Sequence, residues 1–240
     1  MFLKRIFGIS WIFLNLFIKK IIDFIGSLTL IIILVVPMIM IALIIKIDSK
    51  GPVIFKQKRL TKNGKEFTLY KFRTMVNDAE NMGSGLFSFS NDTRITKVGK
   101  FLRKTSLDEL PQLLNIFTFK MSFVGPRPPV NYELGDYNGL SQKFKDRFRM
   151  SAGITGLAQI SGRNELDWSL KVLKDNEYIE KFKKIGFILD IYIILMTIIK
   201  VFKSSDIIED EPETIKGLTE EEKKKIMTEK VFEMTREEEK

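Results

Sequence analysis

Phe24 to Ile45 is a run of 22 residues without a charge, dominated by Ile, Leu, Val and Met. As a straight helix it would reach about 33 Å, the depth of a bilayer core. It shows no polar face, so it does not read as the surface helix of a soluble domain. A cleaved leader fits poorly, because the run is long, begins late and lacks a small-residue cleavage site. Pro37 sits inside it, removes the bond to the Ile33 carbonyl and is expected to kink or break the helix. Ser27 and Thr29 are hydroxyls able to ease polar strain within lipid. Lys4, Arg5, Lys19 and Lys20 precede the run, and Lys46, Lys50, Lys56, Lys58 and Arg59 follow it. With basic residues at both ends, the positive-inside bias selects neither orientation. A re-entrant helix, broken at Pro37 and returning to the same face, satisfies both clusters. A single kinked crossing is the alternative.

Around this element the chain divides into four parts. Residues 1–20 are expected to form an interfacial or loosely ordered lead-in, whose apolar stretch Ile6 to Ile18 is too short to span and whose Trp11 suits the headgroup layer. Residues 21–46 form the membrane helix, 47–206 one compact domain, and 207–240 a Glu/Lys-rich acidic tail, solvated or disordered. Within the domain, Val53–Lys58 and Glu66–Phe72 are expected as short strands around the turn Thr61-Lys62-Asn63-Gly64. Residues 77–93 are polar and rich in Gly, Ser and Asn, as in a loop. Helical patterns occupy 98–104, 107–118, 140–149 and 165–184. The 140–149 piece is basic and amphipathic, suited to a membrane surface or to packing on the core. Phe187 to Phe202 is apolar but interrupted by Asp190 and Lys200, too short to cross and able to lie in the interface. The fold class is therefore α/β of the helix-rich α+β kind: a membrane helix, a few short strands and interfacial amphipathic helices.

Cysteine and histidine are both absent. That excludes a disulfide framework, a Cys/His zinc site, a thiol nucleophile and a Ser-His-Asp triad. Catalysis is left to carboxylates, hydroxyls, Lys, Arg, backbone amides or an oxygen-ligated metal. The net charge is +9, yet residues 207–240 carry 12 acidic and 7 basic side chains, so the preceding part is more basic still. A basic body suits phosphate-bearing partners such as anionic headgroups or nucleotides, or simply a soluble surface. Nucleic acid is not expected, since no recognition motif is present and the chain carries an apolar anchor.

Three stretches concentrate chemistry. In Arg103-Lys104-Thr105-Ser106-Leu107-Asp108-Glu109-Leu110-Pro111-Gln112, Ser106 and Glu109 fit a capping box that would start a helix with Asp108 in its first turn. The helix dipole and Arg103 would favour an ionised Asp108 there, fit to attack phosphorus, with Glu109 able to hold Mg²⁺ on substrate phosphates. The plainer reading makes both acids cap and dipole partners. In Met121-Ser122-Phe123-Val124-Gly125-Pro126-Arg127-Pro128-Pro129, a short strand enters a stiff turn that fixes Arg127, a guanidinium suited to bidentate phosphate recognition or merely solvated. Gly153-Ile154-Thr155-Gly156-Leu157-Ala158-Gln159-Ile160-Ser161-Gly162-Arg163-Asn164 is glycine-rich but carries no nucleotide-binding fingerprint.

Taken with Asp48-Ser49-Lys50-Gly51-Pro52-Val53-Ile54-Phe55-Lys56-Gln57 and Tyr70-Lys71-Phe72-Arg73-Thr74-Met75, these stretches resemble, in order and from about Lys19 to Ile207, the bacterial sugar transferase family, the monotopic phosphoglycosyl transferases. The resemblance implies an enzyme that moves a sugar-1-phosphate from a UDP-sugar to undecaprenyl phosphate and releases UMP. It would act through a covalent aspartyl-phosphosugar, at the first membrane step of capsule, exopolysaccharide, O-antigen or glycoprotein glycan assembly. It implies Asp108 as nucleophile and Glu109 as its Mg²⁺-associated neighbour. Arg103, Arg127, Arg163 and Lys71 become phosphate or nucleotide ligands, Asp190 a further acidic residue near the metal, and Pro37 the break in the re-entrant helix. Membrane phospholipids and a second copy of the chain are the further partners expected, at the cytoplasmic face of the bacterial inner membrane. The chain departs from the family pattern at Val36 before Pro37, at Phe119-Lys120 before Met121-Ser122, and at Ala152 before Gly153. The sugar is not legible in these residues.

Overall fold

The computed structural model describes residues 2–82, 92–162, 167–203 and, in the tail, 219, 222, 225, 226, 228–231 and 233. The first element is one helix, α1 (Phe2–Asp48), which contains Pro37 and continues through it. The helix is not interrupted at Pro37, and the lead-in expected over 1–20 is helical from Phe2 onward as part of the same element. A proline removes a single bond from the ladder, and the uniformly helix-compatible apolar residues on either side carry the rest.

The domain begins with an antiparallel hairpin of β1 (Ile54–Leu60) and β2 (Glu66–Phe72), in register from Ile54 opposite Phe72 to Leu60 opposite Glu66. Its turn is a 3₁₀ piece, Lys62–Gly64, in which Asn63 (φ 59°) and Gly64 (φ 68°) take the left-handed conformation that an Asn-Gly pair accepts at low cost. Helix α2 (Lys97–Thr105) is capped by Thr96, whose hydroxyl accepts from the Gly99 amide at 3.0 Å. A 3₁₀ segment, Leu107–Gln112, then leads into α3 (Leu113–Phe117). The capping box expected at Ser106 is not formed. Ser106 (φ 57°) closes α2 in the left-handed conformation, its amide bonding the Arg103 carbonyl, and so lacks the extended backbone that an N-cap needs. Pro111 also disfavours α geometry at Leu110, which keeps the segment 3₁₀.

Strand β3 (Ser122–Val124) pairs in parallel with β4 (Gly153–Thr155). Between them lies α4 (Gln142–Asp146), continued by a 3₁₀ turn at Arg147–Arg149. Helices α5 (Leu157–Ser161), α6 (Trp168–Ile185) and α7 (Ile188–Lys203) complete the domain. The main core joins Val124 and Met150 to Tyr178, Phe182, Leu189 and Ile193. A second cluster joins Leu60, Phe144, Phe148 and Val172, and includes Val231 of the tail. Helix α7 leaves Ile188, Ile191, Tyr192, Leu195 and Ile198 exposed.

Helix α1 inverts the usual rule of burial. Phe13, Phe17, Ile32, Val36, Leu43 and Ile47 are exposed, whereas Asn15, Lys19, Asp23 and Ser27 are buried. Those four polar residues recur every fourth position, one stripe on one face. That stripe lies on the domain, and Phe24 beside it stacks on Phe117 and Phe119 with centroids 5.2 and 5.7 Å away. Nearer its other end Met38, Ile41, Ala42 and Ile45 pack with Phe72 and Leu102. The helix is long and apolar enough to cross a membrane.

Candidate active site

The site is built where β2, the 3₁₀ segment and the turn after β3 converge. Asp108 and Glu109 occupy the first turn of the Leu107–Gln112 segment, against β2. Asp108 is 8 % exposed. Lys71, on β2, bridges the two acids: its Nζ is 2.8 Å from Glu109 Oε1 and 3.7 Å from Asp108 Oδ2. Arg127 approaches the same Glu109 oxygen, with Nη1 at 3.9 Å from Oε1 and a side chain still open to solvent. Arg103 reaches in from α2, its Nε donating to Thr74 Oγ1 at 2.9 Å.

Burial raises the Asp108 carboxyl above the ordinary aspartate range, against the pull of Lys71, and the Glu109 charge adds to the rise. Burial likewise lowers Arg103, while the Asp108 charge opposes that. The two effects describe one environment, with charges of both signs held in poor solvent and offsetting one another. An adjacent phosphate would be attracted by three cations at once.

A small cleft opens beside Lys71 and Arg127, lined also by Arg59, Gln112 and Ile154. The turn that bears Arg127 is held by its carbonyls. Arg147 Nη2 donates to Arg127 O at 2.6 Å, and Arg59 Nη1 to Pro128 O at 2.7 Å. Glycine is required beside it: a Cβ on Gly153 would lie 2.1 Å from Gly125 N.

Of the residues singled out in the sequence, Asp108, Glu109, Lys71, Arg103 and Arg127 come together. Asp190 does not join them through a bond. Its carboxylate accepts from Lys19 Nζ at 2.6 Å and from Tyr178 Oη at 2.8 Å. Arg163 lies outside the described residues, as does most of the acidic tail. Asp108 and Glu109 are hard oxygen donors of the kind Mg²⁺ takes when it shares its shell with a substrate's phosphates. Among the described residues no group of three acidic side chains forms a cage for a metal by itself. The residues missed in the sequence are Thr74, Arg59 and Arg147, and the helix stripe of Asn15, Lys19, Asp23 and Ser27. For the stripe a signal existed: four polar residues at fourfold spacing across an otherwise apolar stretch.

Buried acids with Lys71, Arg103 and Arg127 near them form a site whose charges suit a phosphate ester. The chain belongs to the bacterial sugar transferase family, whose model matches residues 14–204. Among its relatives is the UDP-glucose:undecaprenyl-phosphate glucose-1-phosphate transferase of Klebsiella pneumoniae, 44% identical over 192 residues, which cover 79% of this chain and 41% of that protein. The uncharacterized sugar transferase EpsL of Bacillus subtilis is 42% identical over 165 residues, 68% of this chain and 77% of the relative. The exopolysaccharide production protein PSS of Rhizobium leguminosarum is 38% identical over 194 residues, 78% of this chain and 96% of the relative. The chain thus spans about two fifths of the length of the Klebsiella protein and nearly all of the Rhizobium one.

Proposed function

We propose that the chain is a phosphoglycosyl transferase, moving a sugar-1-phosphate from a UDP-sugar to undecaprenyl phosphate. The observation that carries the reading is the Asp108–Glu109 pair bridged by Lys71, with Arg127 and Arg103 beside it. Asp108 attacks the β-phosphorus of the donor; a bond forms between its carboxylate oxygen and phosphorus, and the bond to the bridging oxygen breaks. UMP leaves with that electron pair. An oxygen of the lipid phosphate then attacks the same phosphorus and displaces the Asp108 carboxylate, leaving a lipid diphosphate-sugar. Lys71, Arg103 and Arg127 offset the repulsion between anionic reactants, which is what their convergence supports. Asp108 and Glu109 are the residues that would hold Mg²⁺, which when bound neutralises diphosphate charge. Covalent catalysis lets one small site serve both substrates in turn.

The membrane reading has its own support. Asp23 and Ile45 are about 33 Å apart along α1, yet both pack against the one domain. A perpendicular crossing would carry one of those contacts to the far side of the bilayer. We therefore propose that α1 lies in the membrane with both ends on one face, bent at Pro37, and that the domain sits at the cytoplasmic surface of the bacterial inner membrane.

The test uses the full chain in detergent micelles, with a panel of UDP-sugars and undecaprenyl phosphate. Mg²⁺-dependent UMP release is expected from at least one donor, and without the lipid an intact-mass increase of one sugar-phosphate. Asp108→Asn should lower turnover by on the order of 10³-fold or more and abolish the adduct. Full turnover by that variant would end the covalent mechanism. Cysteines introduced at positions 3 and 60 should both label from the cytoplasmic side; labelling from opposite sides would restore a crossing helix.

A further inference from the structure

Strand β3 has β4 on one edge, and its other edge meets α1. Backbone alternation turns the Phe123 N–H away from β4. Asp23 accepts from it, Oδ1 to N 3.0 Å. Four residues earlier on the same helical face, Lys19 Nζ donates to the Val124 carbonyl at 2.8 Å and to Asp190 at 2.6 Å. Tyr178 Oη closes the network on Asp190 at 2.8 Å. Lys19, Asp23, Asp190 and Tyr178 are all buried. Gly26 lets the helix approach, since a Cβ there would meet the Phe123 ring at 2.9 Å. The Asp23 carboxylate thus stands where a third strand's carbonyl would. Val124 is the last residue before the turn Gly125-Pro126-Arg127-Pro128, whose proline on each side of Arg127 passes backbone displacement on with little slack.

We propose that Lys19 and Asp23 are positioning residues: they grip two consecutive residues of β3 and thereby set the Arg127 guanidinium against Glu109. The membrane helix is in this sense part of the active site as well as its anchor. Arg127 is otherwise the least confined of the site's cations, with a half-exposed side chain 3.9 Å from Glu109. A shift of its turn by a fraction of an ångström would change that approach more than it would change Lys71, which is fixed within the hairpin.

The activity readout rests on the transferase reading, so the test has a second arm that does not. Asp23→Leu removes the acceptor at similar volume, whereas Asp23→Asn keeps an oxygen facing the Phe123 amide. By hydrogen exchange in micelles, Phe123 should lose protection at least tenfold in Asp23→Leu and keep it in Asp23→Asn. In UMP release, Asp23→Leu should lower kcat by about 10- to 100-fold. In an Arg127→Ala background the same change should cost no more than about twofold, because the group it positions is gone. Lys19→Met combined with Asp190→Leu, which removes both members of that ion pair, should show the same lost additivity. Equal losses in both backgrounds, or unchanged exchange at Phe123, would overturn the proposal. Absence of UMP release from every donor would defeat the transferase reading instead, with the exchange arm still deciding whether α1 grips β3.

Discussion

Two of the buried charge groups among the described residues are finished differently. Arg147 and Asp175 form a closed pair: Nη2 to Oδ2 is 2.8 Å, both side chains are 1 % exposed, and the guanidinium also serves the Arg127 carbonyl. Its face lies over the Trp168 ring, 4.9 Å from the centroid. Around Asp108 the contacts are shared or longer. Lys71 is shared between two acids, and Arg127 stands at 3.9 Å rather than in contact. One group is a direct pair sealed in the interior, and the other lies beside a cleft with one cation shared and another at longer range. The contrast separates charges that hold the turn from charges that face the cleft.

The strongest way to break this contrast is to open the closed pair. Arg147→Met should destabilise the protein by about 3–5 kcal/mol at neutral pH, read as a fall in unfolding midpoint, because it strands a buried carboxylate. Adding Asp175→Leu should recover most of that loss. If Arg147→Met were as stable as the parent, the pair would not be the structural element described here.

A smaller effect follows from acid titration. Burial outweighs Arg147 and raises the Asp175 carboxyl to about 6. Between the unfolded value near 4 and about 6 the native state then holds more protons than the unfolded one. This residue's contribution therefore favours the fold at low pH and is withdrawn as pH rises through that window, by about 3 kcal/mol. Asp175→Asn cannot lose that proton, so its midpoint should decline less than the parent's from pH 4 to 6. Parallel profiles would refute it.

The smallest change is expected at the open group. Asp108→Asn should leave the unfolding midpoint within the shift produced by about 1 kcal/mol, or raise it, since it removes a buried charge. A large fall in stability would make Asp108 a structural residue and erase the distinction.

The hairpin and the later helices were legible because local patterns decide them. Glu66–Phe72 is a strand as alternation and its Asn-Gly turn predict, and β1 differs from its expected bounds by no more than two residues at either end. The convergence of Asp108, Glu109, Lys71, Arg103 and Arg127 was also legible, through the family pattern; no spacing rule brings β2 to the 3₁₀ segment. The capping box misled because Ser106 was already committed to ending α2. The pairing of Asp190 with Lys19, 171 residues away, was not legible. In the sequence Lys19 reads as one of a basic flank, and only the fold turns it inward.

Partners of Lys19 and Asp23 on β3 follow them by 105 and 100 residues. At about 5–20 residues per second of synthesis, roughly 5 to 20 seconds separate their emergence from the ribosome. During that interval neither side chain has its partner on β3. The helix side of this contact is therefore synthesised well before the arginine-bearing loop, which is completed against a partner already made.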